Sequence, residues 1–187
     1  MAAVGDGDMI DTGDTEAGDA EAMAEMRINA LLAPPGGGQS LITVATAESL
    51  TGGNVSARIT AISGSSGYFL GGIVAYSNAA KASLLGVSSE TLSTRGAVSA
   101  ECAREMAEGA RRAFGADVAV ATTGIAGPGG ATERKPVGLV YIALASPNGV
   151  TTEEFHFPGG RNVVTDASTE AALLMLLRGL ERRLGKD

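Results

Sequence analysis

Ser49 is the side chain of this sequence best placed for nucleophilic chemistry. It follows an apolar β-like run and precedes two glycines and a helical pattern, so it is predicted where a strand passes into a helix. Unpaired backbone N–H groups and the positive end of a helix dipole favour developing negative charge at such a junction. A serine that only caps the helix is also typical of this position. The local sequence therefore leaves two interpretations of Ser49, a nucleophile and a helix cap.

Lys81 is the second candidate, because it interrupts a stretch of small and apolar residues. One interpretation is a solvated lysine on a helix surface. The other is a desolvated amine whose pKa is lowered by burial, so that its neutral form takes the proton of Ser49. Tyr76, at the end of the preceding apolar run, either packs as an aromatic ring or bridges the two through its hydroxyl. A serine served by a lysine needs no histidine.

The elements that must position these side chains alternate between strand-like and helix-like segments. Apolar runs predict five strands, at 41–46, 70–76, 117–122, 137–145 and 150–157. Helical spacing predicts helices at 19–32, 55–62, 78–85, 98–114 and around 173–180. The first three strands are joined by helices and should be parallel, whereas the turn 147–149 makes the last two an antiparallel hairpin. We therefore expect an α/β fold, a three-layer α/β/α sandwich with a mixed five-stranded sheet.

Three loops are expected at one edge of this sheet, because the carboxyl ends of parallel strands gather the ligand-binding loops. They are Ser49-Leu-Thr-Gly-Gly53, Tyr76-Ser-Asn-Ala-Ala-Lys81 and Thr123-Gly-Ile-Ala-Gly-Pro-Gly-Gly130. The third lacks the Gly-Lys-Ser/Thr ending of a P-loop, and its glycines indicate either an anion cradle or a structural turn. Arg161, near the start of the final helix, is either a phosphate or carboxylate contact or a surface arginine.

The negative charge of the chain is concentrated at its N-terminus. Residues 1–38 carry eight of the 21 acidic residues and one of the 14 basic residues, which leaves 13 of each from Gln39 onward. A balanced domain without a basic block gives no electrostatic footprint for nucleic acid or for an anionic membrane. We predict a disordered acidic tail over residues 1–18 and one folded domain over residues 19–187.

The rarest side chains argue against metal and disulfide chemistry. The single cysteine, Cys102, lies in an alanine-rich helical pattern and is expected to be a buried thiol in a reducing compartment. The single histidine, His156, alternates with two phenylalanines and is expected on an exposed strand position. Without a Cys/His or acidic cluster we expect no metal and no cofactor. No apolar run approaches the roughly 18 residues of a membrane span, so a cytoplasmic protein is expected.

Five motifs in a fixed order resemble the CinA C-terminal domain family, whose stand-alone enzymatic members are the PncC-like nicotinamide-nucleotide amidohydrolases. The likeness extends over roughly residues 20–185. The motifs are Thr46-Ala-Glu-Ser-Leu-Thr-Gly-Gly53, Gly71-Gly-Ile-Val-Ala-Tyr-Ser-Asn-Ala-Ala-Lys81, Gly96-Ala-Val-Ser99, Thr123-Gly-Ile-Ala-Gly-Pro-Gly-Gly130 and Lys135-Pro-Val-Gly138.

The resemblance implies hydrolysis of the carboxamide of nicotinamide mononucleotide to nicotinic acid mononucleotide and ammonia. It implies Ser49 as nucleophile, with Tyr76 and Lys81 completing a Ser-Tyr-Lys constellation, no metal, and assembly as a homo-oligomer. Backbone N–H groups around residues 51–53 would hold the oxyanion. The expected substrate-binding residues are Thr51, Gly52, Gly53, Asn78, Thr123, Gly124, Gly127, Gly129 and Arg161.

Two departures from the family pattern accompany these motifs. Many relatives have a Gly-Asp-Arg turn followed by a second arginine, whereas this chain has Gly159-Gly160-Arg161 and then Thr165, so one phosphate contact is expected to be missing. Leu50 replaces a common cysteine, which should be tolerated. The competing hypothesis is a non-catalytic nucleotide-binding or partner-binding module, since the domain also occurs fused in proteins linked by name to competence and DNA damage. A third is the same hydrolase acting on a different amide or pyridine nucleotide.

Overall fold

A mixed five-stranded sheet in the order β2-β1-β3-β4-β5 forms the central layer of the structure. The computed structural model describes residues 23–34, 36 and 38–186, so the predicted acidic tail at 1–18 and the first residues of the predicted first helix lie outside the described residues. The strands are β1 (Val44–Glu48), β2 (Phe69–Val74), β3 (Val118–Gly124), β4 (Leu139–Ser146) and β5 (Gly149–His156). The helices are α1 (Met23–Leu32), α2 (Asn54–Thr60), α3 (Asn78–Leu85), α4 (Ser89–Thr94), α5 (Ala100–Phe114) and α6 (Arg161–Leu184).

The strand directions bring several loops to one edge of the sheet. β1 pairs in parallel with both β2 and β3, while β4 is antiparallel to β3 and to β5. The hairpin is therefore as predicted, and β5 runs in the same direction as β3. Consequently the carboxyl ends of β1, β2, β3 and β5 all lie at the same edge, and α6 begins there.

Strand limits differ from the sequence prediction by up to three residues. The sequence predicts β1 at 41–46, but the strand begins at Val44, since Leu41 is almost fully exposed and the Thr43 N–H donates to the carboxylate of Asp117. The prediction that β2 reaches Tyr76 is also too long, because the strand ends at Val74 and the Ala75 carbonyl turns out of the sheet to accept from Lys81. The second of these limits bears on the candidate residues, because Tyr76 and Lys81 follow the end of β2.

The two faces of the sheet differ in side-chain size, because large and small residues alternate along the inner strands. One face of β1, β3 and β4 carries Val, Ile and Leu and packs against α1, α2 and α6. The other face carries mainly alanine and packs against α5, which itself presents Cys102, Ala103, Met106, Ala107 and Ala110. Small residues on both sides let α5 lie close to the sheet. The predicted three-layer α/β/α sandwich is thereby confirmed.

Helix α4 is absent from the sequence prediction, although its start is marked in the sequence. Ser88 caps it by accepting from the Thr91 N–H, and Glu90 lies in its first turn, where a negative charge favours the helix dipole. Six residues are too few for a periodic apolar signal. Among the helices that the structure describes, none combines the length and the apolar character that crossing a membrane requires.

A close crossing of α3 and α5 fixes the position of the helix that carries Lys81. A Cβ atom on Gly109 of α5 would lie 2.0 Å from the carbonyl oxygen of Leu85 at the end of α3. Only glycine permits this approach, since backbone atoms cannot rotate away. At Gly179 of α6 an added Cβ would instead meet a side-chain atom, the terminal Cδ2 of Leu144, which can move away.

We expect Gly109→Ala to destabilise the fold by about 1–3 kcal/mol through overpacking. An alanine inside a helix ordinarily stabilises it by about 1 kcal/mol relative to glycine, so the expected sign is reversed. Gly179→Ala is the matched variant and should cost less, because the Leu144 side chain can change rotamer. Urea unfolding of both variants measures the difference, and a Gly109→Ala protein as stable as the parent would contradict the close crossing.

Candidate active site

The ends of three parallel strands are joined by backbone hydrogen bonds where the candidate residues begin. The Ser49 N–H donates to the Thr122 carbonyl at 3.1 Å, and the Ala75 N–H donates to the Glu48 carbonyl at 2.8 Å. Ser49 is therefore fixed to β3, and the residue before Tyr76 is fixed to β1. The sheet thus places the residues that follow β1 and β2 before any side chain acts.

Lys81 reaches Ser49 directly. Its Nζ atom lies 2.9 Å from Ser49 Oγ and 2.7 Å from the carbonyl oxygen of Ala75. Lys81 is 2% exposed and Ser49 is 9% exposed, so the contact is shielded from solvent. Burial lowers the pKa of Lys81 from its ordinary value, against a smaller opposing influence of Cys102. The solvated-lysine interpretation is excluded by this burial.

The two contacts of Lys81 fit a neutral amine. A neutral amine has two N–H groups and one lone pair, whereas an ammonium has donors only. Lys81 Nζ is placed to donate to both oxygens; in its neutral form one N–H would still donate to the Ala75 carbonyl, and the lone pair could accept the hydroxyl proton of Ser49. Among the described residues no carboxylate is paired with Lys81, so nothing compensates a positive charge at this depth. The arrangement is that of a nucleophile beside its base.

Glu48, which precedes Ser49, occupies the N-terminus of α2. Its carboxylate, in a residue that is 1% exposed, accepts five hydrogen bonds. The donors are Thr51 Oγ1 at 2.8 Å, the N–H groups of Gly53 at 2.9 Å, Val55 at 3.1 Å and Ser56 at 2.9 Å, and Ser56 Oγ at 2.6 Å. The helix-cap interpretation of Ser49 is therefore wrong, because Glu48 caps α2. The positive end of the helix dipole, expected to favour charge at Ser49, is also already opposed by this carboxylate.

The backbone N–H groups of residues 51–53, expected to hold the oxyanion, are not all free, because Glu48 also accepts from one of them. The Gly53 N–H is taken by Glu48 and the Gly52 N–H donates to the Ser49 carbonyl. The N–H groups of Leu50 and Thr51 have no partner among the residues that the structure describes. Of the predicted segment 51–53, only Thr51 thus retains a backbone N–H without a described partner. Leu50, which follows Ser49, provides a second one.

Tyr76 and Arg161 form a second pair at this edge. Arg161 NH2 donates to Tyr76 Oη at 2.7 Å and Arg161 NH1 donates to the Gly127 carbonyl at 3.0 Å. Tyr76 is 61% exposed. The expectation that its hydroxyl bridges Ser49 and Lys81 is not met, because those two side chains touch directly and the hydroxyl is bonded to Arg161.

Most of the predicted site residues line one cavity of about 260 Å³. They are Ser49, Tyr76, Asn78, Lys81, Thr123, Gly124, Gly127, Gly129 and Arg161. An adjoining cavity of about 450 Å³ shares Leu50, Tyr76 and Arg161 with it and is also lined by Thr51, Gly52 and Thr165. Gly53 lines neither. Because the two cavities share Leu50, Tyr76 and Arg161, we treat them as one site, with an inner part at Lys81 and an outer part at Thr165. Together they have the size of a typical ligand site, ~300–1,000 Å³.

The glycines of the loop between β3 and β4 divide into two kinds. A Cβ on Gly124 would lie 2.7 Å from the Leu139 carbonyl, and one on Gly127, whose φ is +81°, would meet Val137. Backbone packing therefore explains these two. Gly129 has an ordinary φ, a Cβ added to it would meet only open space, and it faces the cavity. Its N–H has no partner among the described residues, which leaves it available to a ligand.

Two polar side chains fix the backbone of residues 95–98, a segment that borders the inner cavity. Lys135 Nζ donates to the carbonyls of Arg95 at 2.6 Å and Val98 at 2.7 Å, and Thr123 Oγ1 donates to the Ala97 carbonyl at 2.6 Å. Ala97 and Val98 line the inner cavity. Thr123, predicted to bind substrate, thus already uses its hydroxyl proton in the hydrogen bond to the Ala97 carbonyl.

A larger cavity, of about 1010 Å³, lies between α2 and α6. Its lining is mainly apolar, including Phe157, Val163 and Leu174. Of its three charged side chains, Arg58 and Glu170 are bonded to each other, and the third is Asp166. It contains neither Ser49 nor Lys81. The chemistry of the molecule therefore belongs to the smaller cavities.

The remaining reactive side chains lie where the sequence predicts. Cys102 is fully buried beneath the helix that carries Lys81, and burial raises the pKa of its thiol to about 11. His156 is exposed on β5 and lies 2.8 Å from Glu154. Within the described ranges no group of three or more His, Cys, Asp or Glu side chains has the arrangement of a metal site.

Comparisons of the sequence with known proteins agree on one family. The family model for the CinA C-terminal domain matches residues 38–180. A putative competence-damage inducible protein from Moorella thermoacetica is 51% identical over 139 residues, which are 74% of this chain and 34% of that protein. A CinA-like protein from Mycobacterium sp. (strain JLS) is 52% identical over 140 residues, which are 74% of this chain and 33% of that protein. The chain thus spans about a third of the length of the curated relatives it matches.

Solved structures agree with the sequence comparisons. Competence/damage inducible protein CihA from Agrobacterium tumefaciens matches with a TM-score of 0.79 at 43% identity and covers 86% of this chain and 95% of its own. A CinA superfamily protein from Enterobacter cloacae matches with a TM-score of 0.78 at 29% identity, over 96% of this chain and 98% of its own. These names state no reaction, so the chemistry has to be argued from the site.

We expect Glu48→Gln to destabilise the protein by about 1–3 kcal/mol, because the amide NH₂ group would face backbone N–H donors of residues 53–56 that have no other acceptor among the described residues. Glu153→Gln is the control, since among the described residues this exposed side chain bonds only Arg178, and the change should alter stability by less than ~0.5 kcal/mol. Urea midpoints measure both. Equal stability of the two variants would show that Glu48 is not the cap of α2.

Proposed function

The chain belongs to the CinA C-terminal domain family, and from this premise we propose that it hydrolyses the carboxamide of nicotinamide mononucleotide to nicotinic acid mononucleotide and ammonia. The direct contact of Lys81 Nζ with Ser49 Oγ carries the proposal. A buried amine beside a hydroxyl has no packing purpose that an apolar residue would not serve better. The resemblance of the five motifs to nicotinamide-nucleotide amidohydrolases supplies the substrate class.

Acylation begins when Ser49 Oγ attacks the carboxamide carbon while Lys81 accepts the hydroxyl proton. As the C–O bond forms, the π electrons of the carbonyl move onto its oxygen and give an oxyanion. The N–H groups of Leu50 and Thr51, the two residues after Ser49, would donate hydrogen bonds to this oxyanion. Lys81 then returns the proton to the departing nitrogen. The C–N bond breaks, ammonia leaves, and an ester of nicotinic acid mononucleotide remains on Ser49.

Deacylation repeats these steps with water. Lys81, again neutral, takes a proton from water, whose oxygen attacks the ester carbon. The proton then passes to Ser49 Oγ as the C–O bond breaks and the acid is released. The Ala75 carbonyl keeps the amine aimed at Oγ throughout both halves.

The phosphate of the substrate is assigned to the outer cavity, at the start of α6. The N-cap residue of this helix is Gly160, which has no side chain to accept a hydrogen bond. Within the described part of the chain, the first N–H groups of α6 therefore remain unpaired and favour an anion. Arg161 adds a guanidinium at the same place. Thr165 lines this cavity where many relatives have a second arginine, so Arg161 is expected to bear most of the charge pairing.

Ser49→Ala is expected to abolish ammonia release from nicotinamide mononucleotide while leaving the fold intact, because the nucleophile alone is removed. Ser93→Ala, at an exposed serine of α4, is the matched control and should be fully active. A coupled ammonia assay, run also on the riboside and the dinucleotide, measures turnover and ranks the substrates. Full turnover by Ser49→Ala would refute the mechanism, and a wild-type protein that binds the nucleotide without releasing ammonia would favour a binding module.

Lys81→Met should lower kcat by about 10²–10⁴-fold, the usual contribution of a general base. In the wild type, kcat/KM should rise with pH, because only the deprotonated amine has a lone pair. Since burial lowers the pKa of Lys81, the plateau should be reached below the ordinary lysine value of 10.5. Lys186→Met is the control at an exposed lysine. A pH profile that is flat, or that falls as pH rises toward neutrality, would contradict Lys81 as the base.

A further inference from the structure

The hydroxyl of Tyr76 is engaged at the outer end of the site. Its oxygen accepts from Arg161 NH2 at 2.7 Å, and the other terminal nitrogen of Arg161 donates to the Gly127 carbonyl at 3.0 Å. The guanidinium is thus held between the segment after β2 and the glycine loop after β3. Lys81 reaches Ser49 Oγ without an intermediary.

We propose that Tyr76 is a specificity-determining residue that orients Arg161 toward the anionic end of the substrate and takes no part in proton transfer at Ser49. The inference rests on the proposed function and extends it. A relay through Tyr76 would need a gap between Lys81 and Ser49 for the phenol to fill. The 2.9 Å contact leaves no such gap.

Two acceptors are enough to fix the plane of a guanidinium. Arg161 uses one N–H of each terminal nitrogen for Tyr76 and Gly127, and its remaining N–H groups are free for a phosphate. Because the side chain is held before the ligand arrives, less rotamer entropy is lost on binding.

Adjacent residues therefore orient the two basic side chains of the site, Lys81 and Arg161. The Ala75 carbonyl accepts from Lys81 at the reacting end, and the Tyr76 hydroxyl accepts from Arg161 at the anion end. The Ala75 N–H is fixed to the Glu48 carbonyl of β1. The rigid end of β2 thus sets both positions, and removal of the phenol oxygen should affect only the outer one.

The test compares Tyr76→Phe with the wild type on nicotinamide mononucleotide and on nicotinamide riboside, which lacks the phosphate. We expect KM for the mononucleotide to rise about ten-fold, the loss that one hydrogen bond to a charged group accounts for. We expect kcat, its pH profile, and kcat/KM for the riboside to stay unchanged. Tyr141→Phe removes a tyrosine hydroxyl on β4 outside both cavities and should change nothing.

A double-mutant cycle tests whether the effect of Tyr76 on KM depends on Arg161. In an Arg161→Ala background, Tyr76→Phe should raise KM for the mononucleotide by less than about two-fold, because the side chain that Tyr76 orients is gone. A fall in kcat on both substrates with a shifted pH profile would overturn the proposal in favour of a proton relay. An unchanged KM for the mononucleotide would overturn it as well.

Calorimetric binding in the Ser49→Ala background keeps this test independent of turnover. There, Tyr76→Phe should weaken binding of the mononucleotide about ten-fold and leave the riboside unaffected. If the wild type releases no ammonia from either compound, the proposed reaction fails while this binding difference still decides the role of Tyr76. Absence of any difference between the two ligands would refute it.

Discussion

The burial of one amine is the constraint on which this site depends. Lys81 is almost fully removed from water without a carboxylate among its described partners, and a charged ammonium in that position would lack compensation. The fold therefore favours the neutral form, which is the form that can accept a proton. The close crossing of α3 with α5 at Gly109 buries the amine, and the end of β2 supplies its carbonyl acceptor. Packing and reactivity are consequences of the same arrangement.

Glu48 and Ser49 divide two tasks that the sequence allows either to perform. Strand alternation turns successive side chains to opposite faces, so Glu48 points toward α2 and Ser49 toward α3. The carboxylate satisfies the donors at the start of α2, and the hydroxyl is left for Lys81. A serine that had to cap α2 would have its oxygen occupied. Glu48 thus leaves the Ser49 hydroxyl free for Lys81 as well as capping the helix.

The strands, the helices and the sheet edge at which the three loops meet could be predicted from the sequence better than the side-chain contacts could. The five strands, the hairpin and the convergence of three loops follow from period-two apolar runs and glycine-rich breaks, which are local signals. The proximity of Lys81 to Ser49 follows from topology, since both come after adjacent parallel strands. The role of Glu48 is missed because an acidic residue at a strand end has no periodic signature, and its five donors come together only when α2 folds back. The partner of Tyr76 is missed because Arg161 is 85 residues away along the chain.

The antiparallel hairpin determines where an anion can bind. Both α2 and α6 begin at the edge of the sheet that carries Ser49 and Lys81, but the N-terminus of α2 is already occupied by the carboxylate of Glu48. β5 runs parallel to β3 because two reversals separate them, so α6 also begins at this edge and its first turn is open. Arg161 lies in that turn and lines both cavities, whereas Lys81 lies only in the inner one. The site thus carries a basic group at each end, Lys81 at the inner one and Arg161 at the outer one, and the proposed substrate would enter with its amide toward Ser49 and its phosphate toward Arg161.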